Sequence, residues 1–253
     1  MQARIVPAAR GASWLAEGWR IFRTAPLAWL ALIFAYVIIT QVLAIVPFAG
    51  FALAAVLVPP FTVGFMAAAR AGSRGAPVEL AMLFEAFRSG PGRQIALGAA
   101  YAACLVAVIG GATLMVGQDV LPAAASDEVP TEERVSQVLS LAAVLMVLYA
   151  PVMMMFWFAP PLVAWHQTSV AKALFFSLFA FLMNWRAFLV YGGIAAIVLA
   201  VAPFLALQVL AAALGPLSRN AVAGTAMSLV LIAMPTLFAS FYASYRDVFG
   251  AES

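Results

Sequence analysis

The chain has 253 residues, of which 66% are hydrophobic and only 9% charged, and its mean hydropathy is +1.06. That little polar surface cannot cover so large an apolar core in water, which excludes a soluble domain and assigns the surplus to lipid. The net charge of +3 sits at the edges of apolar runs, not in a nucleic-acid-binding stripe, so no nucleic acid is expected as a partner.

A membrane β-barrel needs alternating apolar and polar residues over stretches of about ten. Here the runs are continuous and much longer, so the fold class is all-α. The N-terminal MQARIVPAARGASW has no uninterrupted apolar region before Glu17 and Arg20. It is no signal peptide, and the first membrane helix is expected to stay in the mature protein.

In GASWLAEGWRIFRT, Trp14, Leu15, Gly18, Trp19 and Phe22 share one helical face, with Ser13, Glu17, Arg20 and Thr24 on another. This predicts an amphipathic helix lying in the interface with its aromatic side in the acyl boundary. The motif FRTAP follows. Pro26 disfavours helical geometry at Ala25 yet suits the first turn of a new helix, and Thr24 offers a hydroxyl to free amides at the break. Spans over 27–47 and 50–70 come next, joined by the short VPFAG.

A second copy of the motif, FRSGP, ends PVELAMLFEAFRSGP. Its apolar face is less regular, and Ser89 and Gly90 precede Pro91. It leads into a span over 95–117. The loop 118–136 holds Asp119, Asp127, Glu128, Glu132 and Glu133 in a spacing that matches no oxygen-ligand loop, so it reads as solvated acid. Thr131 with two glutamates starts the next helix, a turn ahead of the span over 138–164.

A third segment, SVAKALFFSLFAFLMNW at 169–185, lacks the arginine and proline. Its apolarity predicts deeper packing, and Asn184 is placed to cap the helix of the next span. Spans over 187–213 and 222–244 complete six.

The reading is a single integral membrane domain over 1–253, a polytopic helical bundle of six transmembrane helices. They form three hairpins, each preceded by an amphipathic interfacial helix, in units 11–70, 77–164 and 169–246. Eleven basic residues fall on the side of the termini and two, Arg134 and Arg219, on the other. The positive-inside rule then places both termini in the cytoplasm, as an even number of spans requires.

Prolines mark the second helix of each hairpin: Pro59 and Pro60, Pro160 and Pro161, and Pro235, with Pro203 also in span 5. They read as structural kinks or as hinges around an opened cavity. Small residues every fourth position, Ala99, Ala103, Ala107 and Gly111 in span 3 and Gly192, Ala196 and Ala200 in span 5, allow close helix packing within the chain or between subunits.

The residues GASWLAEGWRIFRTAP, PVELAMLFEAFRSG and SFYASYRDVFG resemble a family of uncharacterised multi-pass inner-membrane proteins of proteobacteria, over essentially the whole chain. More remotely, the helix-plus-hairpin repeat is similar to the membrane domain of glycerophosphodiester phosphodiesterases. No catalytic domain of that kind fits here, so the resemblance implies inner-membrane placement and no reaction.

No acid or base lies within the spans and no catalytic motif is present. Cys104 is a lone apolar thiol and His166 the only histidine, at a helix end. Neither an enzyme, a metal nor a cofactor is expected. Gln41, Gln208, Thr62, Thr113 and Thr236 are the polar remainder. A sealed core favours a non-enzymatic protein that organises lipid or assists a partner membrane complex. A lateral opening lined by Gln and Thr near Pro59 or Pro160 favours the alternative, a transporter or flippase-like conduit for a lipidic substrate.

At the cytoplasmic rim Arg20, Arg23, Arg88, Arg93 and Arg186 accompany Trp14, Trp19, Trp29, Trp165 and Trp185. They read as positive-inside topology with an aromatic belt, or as headgroup sites for anionic membrane lipids. A second copy of the chain or another membrane protein is the other partner class. Arg23 and Arg88 occupy equivalent motif positions, so the combined Arg23→Ala and Arg88→Ala variant is expected to lose anionic-lipid binding in nanodiscs; unchanged binding rejects the headgroup reading.

Overall fold

The structure is a computed structural model and describes residues 2–47, 49–88, 90–117, 132–215 and 218–250. Thr131, Ser89 and most of the acidic loop lie outside the described residues, and with them the helix-start and capping roles expected there. Among the described residues there are helices and no strands.

Both proline motifs terminate one helix and open another. Helix α1 (Arg10–Thr24) stops at Ala25, whose φ of −150° and ψ of 62° leave helical space, and Pro26 opens α2 (Pro26–Ala44). The fixed φ of proline suits a first helical turn, where its missing N–H costs nothing. After α3 (Gly50–Ser73) the chain makes a 3₁₀ turn (Leu80–Phe84) and the four-residue α4 (Glu85–Arg88). Gly90, at φ 120°, then hands over to Pro91 at the head of α5 (Pro91–Val116).

Span 4 is two helices, α6 (Glu132–Phe156) and α7 (Ala159–His166). Helix α8 (Val170–Met183) turns at Asn184 into α9 (Trp185–Ala196). A π-helical stretch (Ile197–Val201) joins α9 to α10 (Ala202–Leu214) directly before Pro203, which has no N–H to give the preceding turn. Helix α11 (Arg219–Phe249) starts at Ser218, whose Oγ accepts from the Ala221 N–H at 3.2 Å. Six stretches are long and apolar enough to cross a membrane: Pro26–Ala44, Gly50–Ser73, Pro91–Val116, Glu133–His166, Trp185–Ala213 and Met227–Phe249.

Three local expectations are corrected. The segment before Pro91 is no amphipathic helix comparable with α1, because residues 74–79 leave the helix and only the 3₁₀ turn and α4 remain before Gly90. Thr24 does not cap α2; its hydroxyl donates backwards to the Ile21 carbonyl at 2.7 Å. Nor does Asn184 cap α9. Its side chain accepts from the Val6 N–H at 2.8 Å and donates to the Arg4 and Ala180 carbonyls at 3.0 and 2.9 Å.

Packing is densest in the half of the bundle that holds both termini. There α2 buries Trp29, Leu32 and Ile33, the C-terminal half of α3 is almost wholly covered, and α11 buries Ala239, Tyr242, Ala243, Tyr245 and Val248. Phe65 stacks on Phe238 at 4.0 Å and Phe181 on Phe188 at 3.8 Å. Trp157 sits edge-on to Phe181, Phe188 and Tyr191.

The helix ends away from the termini present broad apolar surface, as Val42, Leu114, Phe204 and Val209 illustrate. That surface suits acyl chains. The small-residue stripes take little part in the intrachain contact: Ala99, Ala103, Ala107, Gly192 and Ala196 are exposed, Ala200 has no described side chain, and only Gly111, half-buried, approaches a neighbour, the Leu148 side chain. Span 3 packs instead through Gln94, Leu97, Gly98, Tyr101, Val108 and Ala112.

Gly98 shows what holds α3 to α5. A methyl group at that position would overlap the carbonyl of Val56, the very carbonyl that Pro60, four residues on, cannot serve with an N–H. The kinked carbonyl and the bare glycine fit each other. Gly98→Leu should therefore force the two spans apart and cost at least the usual 1–3 kcal/mol, roughly, of an overpacked core. Thermal unfolding in detergent checks this, with Gly110→Leu, at an open position, expected to be near neutral.

Candidate functional site

The candidate site is the end of the bundle that carries both termini. It is assembled by α1, which lies against α9, α11 and α3. Gly11 abuts the Ala187 carbonyl and Gly18 the Thr236 carbonyl so closely that neither has room for a Cβ. Trp14, Ile21 and Phe22 are buried by this contact. Trp14, Gly18 and Phe22 of the apolar face therefore meet protein where acyl chains were expected, while Trp19 stays exposed; the 3.6-residue period defines an apolar face but not what covers it.

Polar contacts lock the helix in place. Asp247 accepts from Arg10 Nε at 2.7 Å and from Trp14 Nε1 at 2.8 Å. Glu17 pairs with Arg246 at 2.5 Å. The chain ahead of α1 is strapped down as well, with the Arg4 N–H donating to the Val248 carbonyl at 2.7 Å.

Arg20 and Arg23 stand apart from this network. Both are exposed, and among the described residues neither has an ion-pair or hydrogen-bond partner. Leu15 and Trp19 on the same helix roof an apolar cavity of about 350 Å³ between α9–α10 and α11, whose walls include Leu199, Pro203, Ala233 and Thr236. The Thr236 hydroxyl is buried there without a partner. Arg23 is one turn beyond Trp19 on the same face.

The other predicted arginines are also exposed but do not join this pair. Arg88 lies 3.8 Å from Glu85, Arg93 donates to the Gln167 carbonyl at 3.3 Å, and the Arg186 guanidinium lies 5.4 Å from the Trp185 ring centre. The expected belt shrinks to Trp19 and Trp185, 44% and 50% exposed. Trp14 and Trp29 are core residues, and Trp165 is half-buried beneath Arg70, whose guanidinium lies 4.9 Å from its ring.

All five candidate hinge prolines are buried. Pro59 and Pro60 lie inside the continuous α3 and Pro235 inside the continuous α11. Only Pro160 and Pro161 accompany an interruption, at Trp157–Phe158. Ser177 heals it, accepting from the Phe158 N–H at 2.9 Å and donating to the Met154 carbonyl at 2.8 Å. Gln94, also buried, donates to the Pro160 carbonyl at 3.2 Å.

Pro59 and Pro160 both border a cavity of about 250 Å³, with Thr62, Tyr101 and Tyr149 also in its wall. The two tyrosine hydroxyls bond each other at 2.9 Å and Thr62 bonds the Val58 carbonyl at 2.9 Å. No glutamine is among its described lining residues.

Reading the sequence missed two clusters. One is the Asp247 and Glu17 network. The other brings Arg70 and Arg74 of α3 beside His166, whose Nε2 is 2.5 Å from the Tyr245 hydroxyl. Among the described residues no group of three metal-ligating side chains converges.

Six apolar crossing helices, an all-helical bundle and a basic end with both termini define a polytopic membrane protein. The chain belongs to the family of a protein of Burkholderia thailandensis named a probable inner membrane protein. The two are 37% identical over 260 residues, which cover all of this chain and 95% of the relative. No family model matches the chain, and no solved structure matches it.

If Asp247 is the lock on α1, Asp247→Ala strands the buried indole N–H of Trp14 and releases Arg10. A loss of about 1–3 kcal/mol is expected, read as a lower melting temperature in detergent and as new proteolytic cleavage within residues 1–24.

Proposed function

We propose that this inner-membrane protein works without catalysis, as an organiser of anionic phospholipid at the cytoplasmic leaflet. The observation that carries the reading is the contrast among the basic residues of this end. Arg10 and Arg246 are neutralised by Asp247 and Glu17, whereas Arg20 and Arg23 are held out, unpaired among the described residues, on a helix whose other face is fixed. A guanidinium pair carried on a fixed helix suits phosphate oxygens. The apolar cavity under Trp19 offers room for part of an acyl chain beside it.

The cytoplasmic orientation is supported by the excess of basic residues at the end that holds both termini. A non-catalytic role is supported by His166, the single histidine, which is engaged with Tyr245. The outward stripe of Ala99, Ala103 and Ala107 suits close approach of a second copy or a partner membrane protein. The remote resemblance to the membrane domain of glycerophosphodiester phosphodiesterases is supported by no family model and no solved structure, and no activity is taken from it.

The second reading, a conduit for a lipidic substrate, draws on the cavity shared by Pro59 and Pro160. Its polar groups bond to one another, to the backbone or, for the Trp157 indole N–H, to the Ser244 hydroxyl, which favours the organiser.

Each arginine near an anionic leaflet contributes about 1 kcal/mol, so Arg20→Gln with Arg23→Gln should weaken phosphatidylglycerol retention about 30-fold at low salt. Native mass spectrometry of protein extracted gently from its own membrane reads this directly. Undiminished retention refutes the proposal, and accelerated transbilayer movement of a labelled lipid in reconstituted vesicles would move the assignment to the conduit.

A further inference from the structure

We propose that Arg70, Arg74, Trp165, His166 and Tyr245, with Arg4 at the rim, form a binding pocket for a phosphate-bearing anion, separate from Arg20 and Arg23. The pocket has a volume of about 400 Å³ and is closed on the α11 side by Tyr242, Phe249 and Gly250. Its arginines and histidine come from three distant parts of the chain. Arg70 and Arg74 are one helical turn apart on α3, His166 ends α7, and Arg4 comes from the N-terminal strap, its guanidinium lying where a side chain on Gly250 would begin.

These groups are placed with some rigidity. Arg70 is stacked on Trp165 at 4.9 Å, and a guanidinium held against an aromatic face keeps its edge N–H groups available to an oxyanion. Arg4 is fixed through its backbone, by the Val248 carbonyl and the Asn184 side chain. Its side chain is not part of those backbone bonds of the strap.

No Asp or Glu is among the described lining residues. Asp247 is bonded to Arg10 and Trp14, and Glu17 to Arg246. Glu85 lines a neighbouring cavity of about 240 Å³ that shares Arg70 and Arg74 with this pocket. A pocket with arginines, a histidine–tyrosine pair and aromatic walls but no carboxylate selects an anion. The planar, forked donors of arginine match phosphate best. A lipid headgroup and a soluble phosphate ester share that chemistry.

The test titrates the full chain, in phosphatidylcholine nanodiscs, with two probes: inorganic pyrophosphate, and phosphatidic acid included in the disc. Binding of at least one probe is expected, weakened at least tenfold by Arg70→Gln and by Arg4→Gln, and retained when Arg20 and Arg23 are both changed to Gln. Saturable pyrophosphate binding identifies a soluble phosphate as the ligand class; response to phosphatidic acid alone identifies a headgroup. Arg4→Gln leaves both backbone bonds of the strap in place, so it reports on the pocket even where Arg70→Gln loosens Trp165. Failure of both probes, wild-type affinity in Arg4→Gln and any folded Arg70→Gln, or loss of binding only with Arg20 and Arg23, overturns the proposal.

Discussion

Close backbone contact is the constraint on which the rest of this bundle depends. Lipid tails are as apolar as leucine, so burial alone does not draw membrane helices together; van der Waals contact and polar bonds must do it. Glycine supplies that contact at the junctions that matter. Gly98 brings α5 onto α3, while Gly11 and Gly18 bring α1 onto α9 and α11, each against a carbonyl that leaves no room for a Cβ. Once α1 is that close, Trp14 reaches Asp247 and the indole becomes part of the core. Loosening either glycine contact would pull the indole from its acceptor, so packing and polar bonding at this end stand together.

The same docking sorts the charges. An acid at a partly buried position is costly unless paired, and Asp247 and Glu17 meet this by taking Arg10 and Arg246. Arg20 and Arg23 have no such partner among the described residues, because the helix turns them outward. Charge exposure at this rim is thus a consequence of how α1 is fixed. A helix merely floating in the interface would offer its basic residues from many positions; this one fixes the backbone positions from which Arg20 and Arg23 project.

What was legible in the sequence was local. Pro26 and Pro91 announce helix breaks through constraints on their own and the preceding residue, and all six spans announce themselves by length and hydropathy. What was not legible was pairing over distance. Trp14 and Asp247 are 233 residues apart, Val6 and Asn184 178 apart, and nothing in either neighbourhood names the other. The apolar face of α1 was readable as a face, yet whether lipid or protein covers it depends on Gly11 and Gly18 meeting two other helices. Arg70 and Arg74 were visible only as positive-inside charges, since Trp165, His166 and Arg4 join them by folding alone.

The prolines of the second helices bear on whether the bundle is static or moving. A hinge needs backbone groups that can change partners at low cost, and inside lipid an unpaired group costs several kcal/mol, roughly. The interruption in span 4 has its N–H and its carbonyl both engaged by one buried hydroxyl, Ser177, on α8. The carbonyl released by Pro60 is covered by Gly98. Opening the span 4 site would strand polar groups in an apolar surrounding with no water to replace Ser177, and opening the Pro60 site would give up the close backbone contact with Gly98. Proline sites filled by groups on neighbouring helices behave as fitted joints, and joints of that kind suit a protein that holds its surroundings in place better than one that rocks between two states.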